Sequence, residues 1–251
     1  MKLSIRERQI QTIPTLEVVP EHLANQPLPL IVYYHGWRNN KELMLTQARR
    51  LAGKGFRVIL PDAMNHGERK VTEISTIPGV TFWSSIQYNI IEFNVIVAYF
   101  EDRQWILDKR IGVGGYSMGG ITTAALLSQH PEIKVASSIM GTPKPFDYLR
   151  LIQTKVRQNN YPLPADLRLI LSWIPQFDLS LQPEKMANRP ILFWHGTEDE
   201  KIPYHQAYDF YLDNLEQSYS QNTVFLTGQG EGHLVTIELM EQIADFFDEH
   251  L

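Results

Sequence analysis

The sequence predicts an α/β protein with a mainly parallel sheet. Six short runs rich in aliphatic and aromatic residues are spread along the 251 residues, and segments with apolar residues at helical spacing lie between them. Strands that alternate with helices form βαβ units with right-handed crossovers, which place helices on both faces of a parallel sheet. A chain of this length suits one such domain, 1–251, and its 43% hydrophobic residues provide for a sizeable core.

The strands of the predicted sheet are of two kinds. Runs without polar alternation are typical of strands buried on both faces, and six segments follow this pattern: 28–36, 55–62, 109–117, 134–141, 190–196 and 222–230. The N-terminal segment 2–21 instead alternates apolar and polar residues, as half-exposed antiparallel strands do. We therefore expect a mixed sheet that is antiparallel at its start and parallel over the remainder.

Helices are predicted where apolar residues recur every three or four positions. The segment 41–55 places Leu43, Leu45, Ala48 and Leu51 at roughly this spacing and ends at a glycine. Three further segments show the same pattern: 121–131, 204–218 and 235–251. These helices separate the predicted strands, as βαβ units require.

Residues 143–187 do not follow the alternation of strands and helices, because the segment is too long for a simple connection between a strand and a helix. They contain repeated prolines, short helical patterns and aromatic residues that look exposed, among them Phe146 and Trp173. Long insertions at the end of a sheet are most often active-site lids, although an elaborate structural connection would have the same pattern. We expect a small helical lid over one end of the sheet.

A glycine-rich stretch, RIGVGGYSMGG at 110–120, joins a predicted strand to a predicted helix. Such a turn can bind phosphate, but a dinucleotide site needs a third glycine where Ser117 stands, and a Walker-type loop needs a lysine that this stretch lacks. The segment 115–119 instead reads G-x-S-x-G, which displays a nucleophilic serine when a strand precedes it and a helix follows. A tight turn with an incidental serine is the alternative.

The glycines on either side of Ser117 have a steric reason. Larger residues at 115 and 119 would collide with the adjacent strand and helix, whereas glycines let the turn close and project the serine hydroxyl outward. The helix that begins here directs the positive end of its dipole toward the substrate, which favours developing negative charge.

A nucleophilic serine needs a histidine as its base. His233 lies in a glycine-rich loop, GQGEGH, after the last predicted strand, where such a base is expected. His195 ends an apolar strand, where a structural role is more frequent, and His205 lies in a predicted helix. We therefore predict that His233 is the base.

The base in turn needs a carboxylate that fixes its tautomer. The loop after the strand at 190–196 contains three acids, Glu198, Asp199 and Glu200, and spacing alone does not choose among them. All three would also suit a solvated loop.

An oxyanion hole needs two backbone N–H groups. The residue after the nucleophile, Met118, is expected to supply one. The second is expected from the loop after an earlier strand, VYYHGWRNN, where Trp37 follows His35 and Gly36. Gly36 would let the backbone turn inward.

Four separated motifs together resemble the α/β-hydrolase superfamily. YYHGW is similar to its oxyanion loop, GYSMGG to its nucleophile elbow, HGTEDEKIP to its acid loop and GEGH to its histidine loop. PDAMNHGER, at 61–69, looks like a loop of dienelactone-hydrolase-like and prolyl-oligopeptidase-like esterases. The resemblance is greatest to small bacterial carboxylesterases of that branch and runs over nearly the whole chain, with 143–187 as the part that does not match in detail.

This resemblance implies an α/β-hydrolase fold with an eight-stranded, mostly parallel sheet, and a serine carboxylesterase that hydrolyses short-chain esters through an acyl-enzyme. It selects Asp199 as the acid, because this aspartate stands at the matching position of the acid loop. Ser117 would then be the nucleophile and His233 the base, with the amides of Met118 and Trp37 holding the oxyanion. No metal and no organic cofactor is implied.

The substrate pocket is less well defined by the sequence. His66 is expected to hydrogen-bond near the pocket rim rather than to act as a second base. Further candidates for the pocket lining lie next to the motifs or are aromatic, although aromatic residues on strands and helices usually belong to the core: His35, Gly36, Tyr116, Phe146, Trp173, Phe82 and Trp83.

Three other functions fit the same scaffold: a peptidase, a thioesterase, and a non-enzymatic ligand-binding protein. A peptidase of this branch would be expected to carry an additional large domain. A degenerate triad would have favoured the binding protein, but all three members are present here, so an esterase is expected.

The composition excludes several classes of site and partner. The absence of cysteine excludes disulfides, thiolate catalysis and cysteine-ligated zinc. A net charge of −5 without long runs of one sign argues against nucleic acid or an anionic membrane as the main partner. The partner that the resemblance implies is a small-molecule ester. The first ten residues do not resemble a signal peptide, and polar residues interrupt the most apolar stretch, 89–100, so a cytoplasmic protein is expected.

Overall fold

Eight strands form one mixed sheet in the described part of the computed structural model, which comprises residues 1–70, 75–77, 79–161 and 163–251. The strands are β1 (Leu3–Ile10), β2 (Ile13–Pro20), β3 (Leu28–Tyr34), β4 (Arg57–Pro61), β5 (Ile106–Tyr116), β6 (Ile133–Ile139), β7 (Ile191–Gly196) and β8 (Thr223–Gly228). Their order across the sheet is β1-β2-β4-β3-β5-β6-β7-β8.

The sheet has the mixed character that the sequence predicts. β1 pairs with β2 and β2 with β4 in antiparallel register, whereas the pairs that β3 to β8 form among themselves are all parallel. β1 is half-exposed, but its burial does not follow the apolar alternation of the sequence, because Ile5 is exposed whereas Arg6 and Arg8 are partly covered. β2 is buried along its whole length, so the half-exposed strand predicted there is wrong. The carboxyl ends of the parallel strands therefore meet along one edge of the sheet, where ligands bind in open α/β sheets.

Helices cover both faces of the sheet: α1 (Leu45–Gly53), α2 (Val80–Glu101), α3 (Met118–Leu127), α4 (Pro145–Gln158), α5 (Leu167–Ile170), α6 (Tyr204–Asn214) and α7 (Ile237–His250). On β3, Val32 points into the core formed with α2, α3 and α6, and Ile31 points into the core formed with α1 and α7. Successive residues of a strand point to opposite faces, so both faces of β3 are apolar. The predicted helices at 41–55, 121–131, 204–218 and 235–251 are confirmed.

α2 is a 22-residue helix that the sequence patterns did not predict. Apolar side chains surround it, with Trp83, Phe93 and Phe100 all fully buried, so the 3.6-residue periodicity that marks a surface helix is blurred. Although α2 is long, no helix in the described residues is both long and apolar enough to cross a membrane.

The described residues of the segment 143–187 connect β6 to β7 and are largely helical. This insertion includes α4, α5 and three short 3-10 turns between 174 and 186. Leu149, Leu171 and Ile174 anchor it in the core on the side of α2 and α3. The insertion is thus packed onto the sheet domain, and its action as a lid stays a prediction.

Candidate active site

Ser117 lies at the sharp turn between β5 and α3. Its backbone has a φ of +56° and a ψ of −114°. A positive φ raises the free energy of a non-glycine residue and is retained mainly at functional turns. The turn is pinned on one side by a hydrogen bond of 2.8 Å from the Ser117 N–H to the carbonyl oxygen of Ile139 on β6. The residue that the sequence predicts as nucleophile is therefore held in a strained and well-defined position.

Gly115 and Gly119 allow the backbone to make this turn. A Cβ atom at Gly115 would lie 2.7 Å from both the Tyr34 carbonyl oxygen and the Gly119 carbonyl carbon, and one at Gly119 would lie 2.2 Å from the same Tyr34 oxygen. Both distances are well inside van der Waals contact, so β3, β5 and α3 approach each other in a way that only glycine permits. The steric role predicted for these two glycines is confirmed.

Asp199 and His233 are brought together from two loops that are 34 residues apart. Asp199 follows β7, His233 follows β8, and the distance from His233 Nδ1 to Asp199 Oδ2 is 2.7 Å. Asp199 is buried, whereas its neighbours Glu198 and Glu200 are exposed. Of the three acids in this loop, Asp199 is the one that contacts His233 in the described residues, and its role as the acid stays a prediction.

The two loops are joined directly by backbone contacts. The Thr197 N–H donates to the Gly228 carbonyl oxygen and the Glu198 N–H to the Glu231 carbonyl oxygen, each at 2.9 Å. Gly196 permits this approach, because a Cβ there would lie 2.3 Å from the Glu231 oxygen. The relative position of acid and histidine is therefore set by the backbone rather than by the two side chains alone.

Asp199 accepts hydrogen bonds on both of its carboxylate oxygens. The backbone N–H groups of Lys201 and Ile202 donate to Oδ1 at 2.8 and 3.0 Å, while His233 and His195 lie at Oδ2. Burial by itself would raise the pKa of the Asp199 carboxyl, but the hydrogen bonds from His195 and His233 outweigh it and hold this pKa well below its usual range. Asp199 is therefore ionised at neutral pH.

His195 has a role at the site that the sequence patterns did not reveal. Its Nε2 lies 3.0 Å from Asp199 Oδ2 and 2.9 Å from the carbonyl oxygen of Ile202, and its side chain is fully buried. Two acceptors around one ring nitrogen require that Nε2 carries the proton. The structural role expected for His195 thus includes holding the acid, and its position four residues before Asp199 was the available signal.

The loop after β3 lies against the nucleophile. A Cβ atom at Gly36 would lie 3.5 Å from Ser117 Cβ, so the backbone of this loop passes close to the serine. Within the described residues, no acceptor is found for the backbone N–H of Trp37 or of Met118. Two unoccupied N–H groups therefore flank the serine, one from this loop and one from the first residue of α3.

A cavity of about 510 Å³ opens beside Ser117. Side chains from the loop after β3, from α2, from the insertion and from the acid loop contribute to its walls, which include Trp37, Phe82, Tyr148, Ile152 and Ile202. The Tyr148 hydroxyl donates to the Lys201 carbonyl oxygen at 3.3 Å and so links the insertion to the acid loop. Burial and, secondly, the charge of Asp199 raise the pKa of Tyr148 to about 12, so it stays neutral.

Two residues predicted to line the pocket are instead part of the protein interior. The Tyr116 ring packs edge-on against Tyr33 on the face of the sheet opposite α3, and its hydroxyl donates to Gln47 Oε1 at 2.6 Å. His35 is 1% exposed; its Nε2 accepts from the Ala63 N–H at 3.0 Å, and burial lowers its pKa to about 4. The expectation that these side chains contact substrate is wrong, because their polar atoms are already paired inside the fold.

Of the other aromatic candidates, Phe82 lines the serine cavity, whereas His66, Trp173 and Phe146 are not among its lining residues. His66 packs edge-on behind Trp37, with ring centroids 4.8 Å apart, and burial lowers its pKa. Trp173 packs against Trp83 in the core. Phe146 lines a different cavity, inside the insertion.

The loop that carries His66 is fixed by a buried ion pair. Lys41 Nζ lies 2.8 Å from Asp62 Oδ2, and both side chains are almost completely buried. Asp62 also accepts from the backbone N–H groups of Lys41 and Glu68, at 2.9 and 3.0 Å.

Among the described residues there is no cluster of side chains suited to hold a metal ion.

Comparison with known proteins adds independent information. The model of the prolyl oligopeptidase family matches residues 87–251. The chain is 33% identical to the proposed esterase YitV of Bacillus subtilis (strain 168) and 27% identical to the esterase YjfP of Escherichia coli (strain K12), in each case over 99% of this chain and 100% of the relative.

A solved structure is similar over its whole length. TT1662 from Thermus thermophilus superposes with a TM-score of 0.79 at 18% identity, and the match covers 99% of this chain and 98% of that one. At this identity the superposition shows the fold alone. The α/β-hydrolase architecture predicted from the motifs is confirmed.

Proposed function

Because the chain belongs to the prolyl oligopeptidase family and is a serine hydrolase of the esterase type, we propose that it is a carboxylesterase that uses Ser117, His233 and Asp199 as its catalytic triad. The observation that carries this proposal is the bond of 2.7 Å between His233 Nδ1 and Asp199. Ser117, which the fold holds in a strained conformation, lies at the carboxyl end of β5, on the same edge of the parallel sheet as the loops that carry these two residues.

The reaction would proceed in two halves. His233 takes the proton of the Ser117 hydroxyl through Nε2 while the serine oxygen attacks the ester carbonyl. The same proton then passes to the alcohol oxygen as the alkoxy group leaves, and the acyl group stays on Ser117. Water, activated by His233 in the same way, releases the carboxylic acid and restores the serine.

Asp199 supports both halves through the tautomer of His233. An ionised carboxylate at Nδ1 keeps the ring proton on that nitrogen, so Nε2 is free to accept. It also stabilises the positive charge that the ring carries after each proton transfer. The depressed pKa of Asp199 supports this assignment, because it keeps the carboxylate charged at neutral pH.

The tetrahedral oxyanion would be held by the backbone N–H groups of Met118 and Trp37. Both lie next to Ser117 in the chain or in space, and neither has an acceptor in the described residues. Met118 is the first residue of α3, so the helix dipole adds positive potential at the same place. Loss of one oxyanion donor typically costs about 10²–10³ in kcat.

Short-chain esters are the substrates that the serine cavity fits best. Its volume of about 510 Å³ is shared between the acyl and the alcohol part, and Tyr148 and Ile152 of the insertion close one side. We infer that the insertion acts as a lid through these two side chains. A p-nitrophenyl ester series from acetate to decanoate should give its highest kcat/KM at four carbons or fewer.

Hydrolysis by the purified chain and by two serine variants tests the proposal. The chain should hydrolyse p-nitrophenyl acetate and butyrate, and Ser117→Ala should lower kcat by several orders of magnitude with an unchanged circular dichroism spectrum. Ser218→Ala is the matched control, since Ser218 is exposed and lies outside the serine cavity. Near-normal hydrolysis by Ser117→Ala would contradict the assignment.

The same assay separates the alternative functions. A peptidase would cleave aminoacyl p-nitroanilides faster than esters of the same acids, and a thioesterase would prefer acyl thioesters. A protein that binds ligands without turning them over would leave all of these substrates intact.

A further inference from the structure

A second cavity, of about 800 Å³, lies within the insertion. It shares no lining residue with the cavity beside Ser117. Its apolar floor includes Leu149, Leu167 and Leu171, each no more than 6% exposed. Ligand-binding cavities of proteins commonly measure roughly 300–1,000 Å³ and are mainly apolar with a few polar groups, which describes this one.

Three arginines, Arg150, Arg157 and Arg168, are the charged residues of this lining. The three arginines are exposed, and so are the nearest acids in the chain, Asp147 and Asp166, which are not among the lining residues. A concentration of three positive charges on one cavity is unexpected for a chain whose net charge is −5.

These arginines differ from most others in the chain. Arg69 makes a two-pronged ion pair with Glu92, and Arg189 donates to several backbone carbonyls. Within the described residues, neither an ion pair nor a side-chain hydrogen bond is found for the three arginines of the second cavity. Their guanidinium groups are therefore available to a ligand.

α4 separates the two cavities. Tyr148 and Ile152 on one side of the helix face the serine cavity, whereas Leu149, Gln153 and Arg157 on another side line the second cavity. Residues i and i+4 share a helix face, so each set forms its own stripe. The second cavity is thus a separate site and not an extension of the serine cavity.

We propose that this second cavity binds an amphiphilic carboxylate with an alkyl chain of roughly eight to twelve carbons. The guanidinium groups match a carboxylate, which arginine binds with paired hydrogen bonds, and the leucine floor matches the chain. Each CH₂ group that is buried adds to the affinity, so a longer chain binds more tightly until it leaves the leucine floor. The proposal concerns binding alone and does not depend on catalysis.

Calorimetric titration of the full-length protein with decanoate tests this inference. Decanoate should bind at one site, while 1-decanol and decyltrimethylammonium, which have the same chain, should bind at least tenfold more weakly. Acetate, which has the same head group, should show no measurable binding. Equal affinity for decanoate and decyltrimethylammonium would overturn the proposal, since it would remove the role of the arginines.

Variants locate the site. The triple variant Arg150→Gln, Arg157→Gln, Arg168→Gln should lose at least tenfold in decanoate affinity, and Arg49→Gln, an exposed arginine on α1, should stay within twofold of the unmodified protein. Ala165→Trp, which places a large ring in the cavity, should abolish binding without unfolding the chain, as judged by circular dichroism.

Two outcomes would overturn the assignment. Decanoate binding that survives both the triple variant and Ala165→Trp would place the ligand elsewhere. Sedimentation showing a dimer that Ala165→Trp disrupts, together with no decanoate binding to the unmodified protein, would instead identify the surface as a contact between copies of the chain.

Discussion

Replacement of Asp199 by asparagine changes one atom at the point where the proposed triad is held together. The amide oxygen of the new side chain would remain with the two backbone donors, the N–H groups of Lys201 and Ile202, that Oδ1 accepts at 2.8 and 3.0 Å. The NH₂ group would then face His233 Nδ1 at the distance of 2.7 Å that Oδ2 has now. A donor in that position obliges His233 to move its proton to Nε2.

A His233 ring protonated on Nε2 cannot accept the proton of Ser117. For triads altered in this way the loss in kcat is about 10⁴, which corresponds to about 5.5 kcal/mol of transition-state stabilisation. Steady-state hydrolysis of p-nitrophenyl butyrate measures it. Glu198→Gln and Glu200→Gln are the matched controls, because both side chains are exposed, and each should stay within about twofold of the unmodified enzyme.

A rate for Asp199→Asn within tenfold of the unmodified enzyme would refute this reasoning. Equal losses in all three variants would show that a general charge effect, rather than the tautomer of His233, controls the rate. Circular dichroism and the urea midpoint of each variant exclude unfolding as the cause.

The same substitution should change how stability depends on pH. The pKa of Asp199 is lower in the folded protein than the ordinary value of about 3.9, so its ionised form stabilises the fold at higher pH. This contribution is complete above about pH 5 and is lost as the pH falls through the folded-state value. The difference in unfolding free energy between the unmodified protein and Asp199→Asn, measured in urea, should shrink from pH 6 to pH 3; parallel curves would contradict it.

Two further substitutions test the fold around the site. Gly119→Ala should cost about 1–3 kcal/mol of stability and at least tenfold in kcat, because the new Cβ would lie 2.2 Å from a carbonyl oxygen of β3. Gly53→Ala is the control: its Cβ would meet nothing within 4 Å, so the substitution should be neutral or stabilise the protein by about 0.5 kcal/mol. Urea unfolding decides between them, and equal effects would show that the turn can relax. Lys41→Ala should cost about 3 kcal/mol by leaving the buried Asp62 carboxylate without its cation, and a loss below about 1 kcal/mol would mean that the two backbone donors suffice.

The parallel strands could be predicted because their sequence signal is local. β3, β4, β6, β7 and the second half of β5 are almost completely buried, so each is a continuous apolar run bounded by turn residues. β8 lies at the edge of the sheet and is mostly half-buried or exposed, so the prediction that it is buried on both faces is wrong. α2 could not be predicted in the same way, since it is apolar around most of its circumference and its burial depends on contacts with α3 and the insertion. Which side chains of α2 are buried is decided by segments that are distant from it in the sequence.

The proposed triad was accessible from the sequence for a similar reason. Ser117, Asp199 and His233 each stand at a fixed offset from the end of a strand, and the carboxyl ends of parallel strands meet at one edge. Which residue faces the substrate is decided by packing instead. Tyr116 is adjacent to the nucleophile in the chain, yet its side chain points to the opposite face of the sheet, as the alternation along a strand requires.

His195 and Phe146 show that local sequence patterns do not determine which side chains belong to the site. His195 looked like a strand-end residue of the core, and its bond to Asp199 depends on the way the acid loop folds back over β7. Phe146 looked like a pocket aromatic, but the rotation of α4 turns it toward the second cavity. In both cases the role of the residue depends on a contact between two segments, and local sequence patterns do not predict the relative orientation of those segments.

Covalent labelling with a fluorophosphonate, followed by peptide mass spectrometry, tests the central claim most directly. The probe reacts with a serine that a neighbouring base has activated, and it does not depend on the choice of substrate. We predict a single adduct on Ser117 that is formed at least a hundredfold more slowly in His233→Ala. An adduct on another serine, or labelling at an unchanged rate in His233→Ala, would contradict the account.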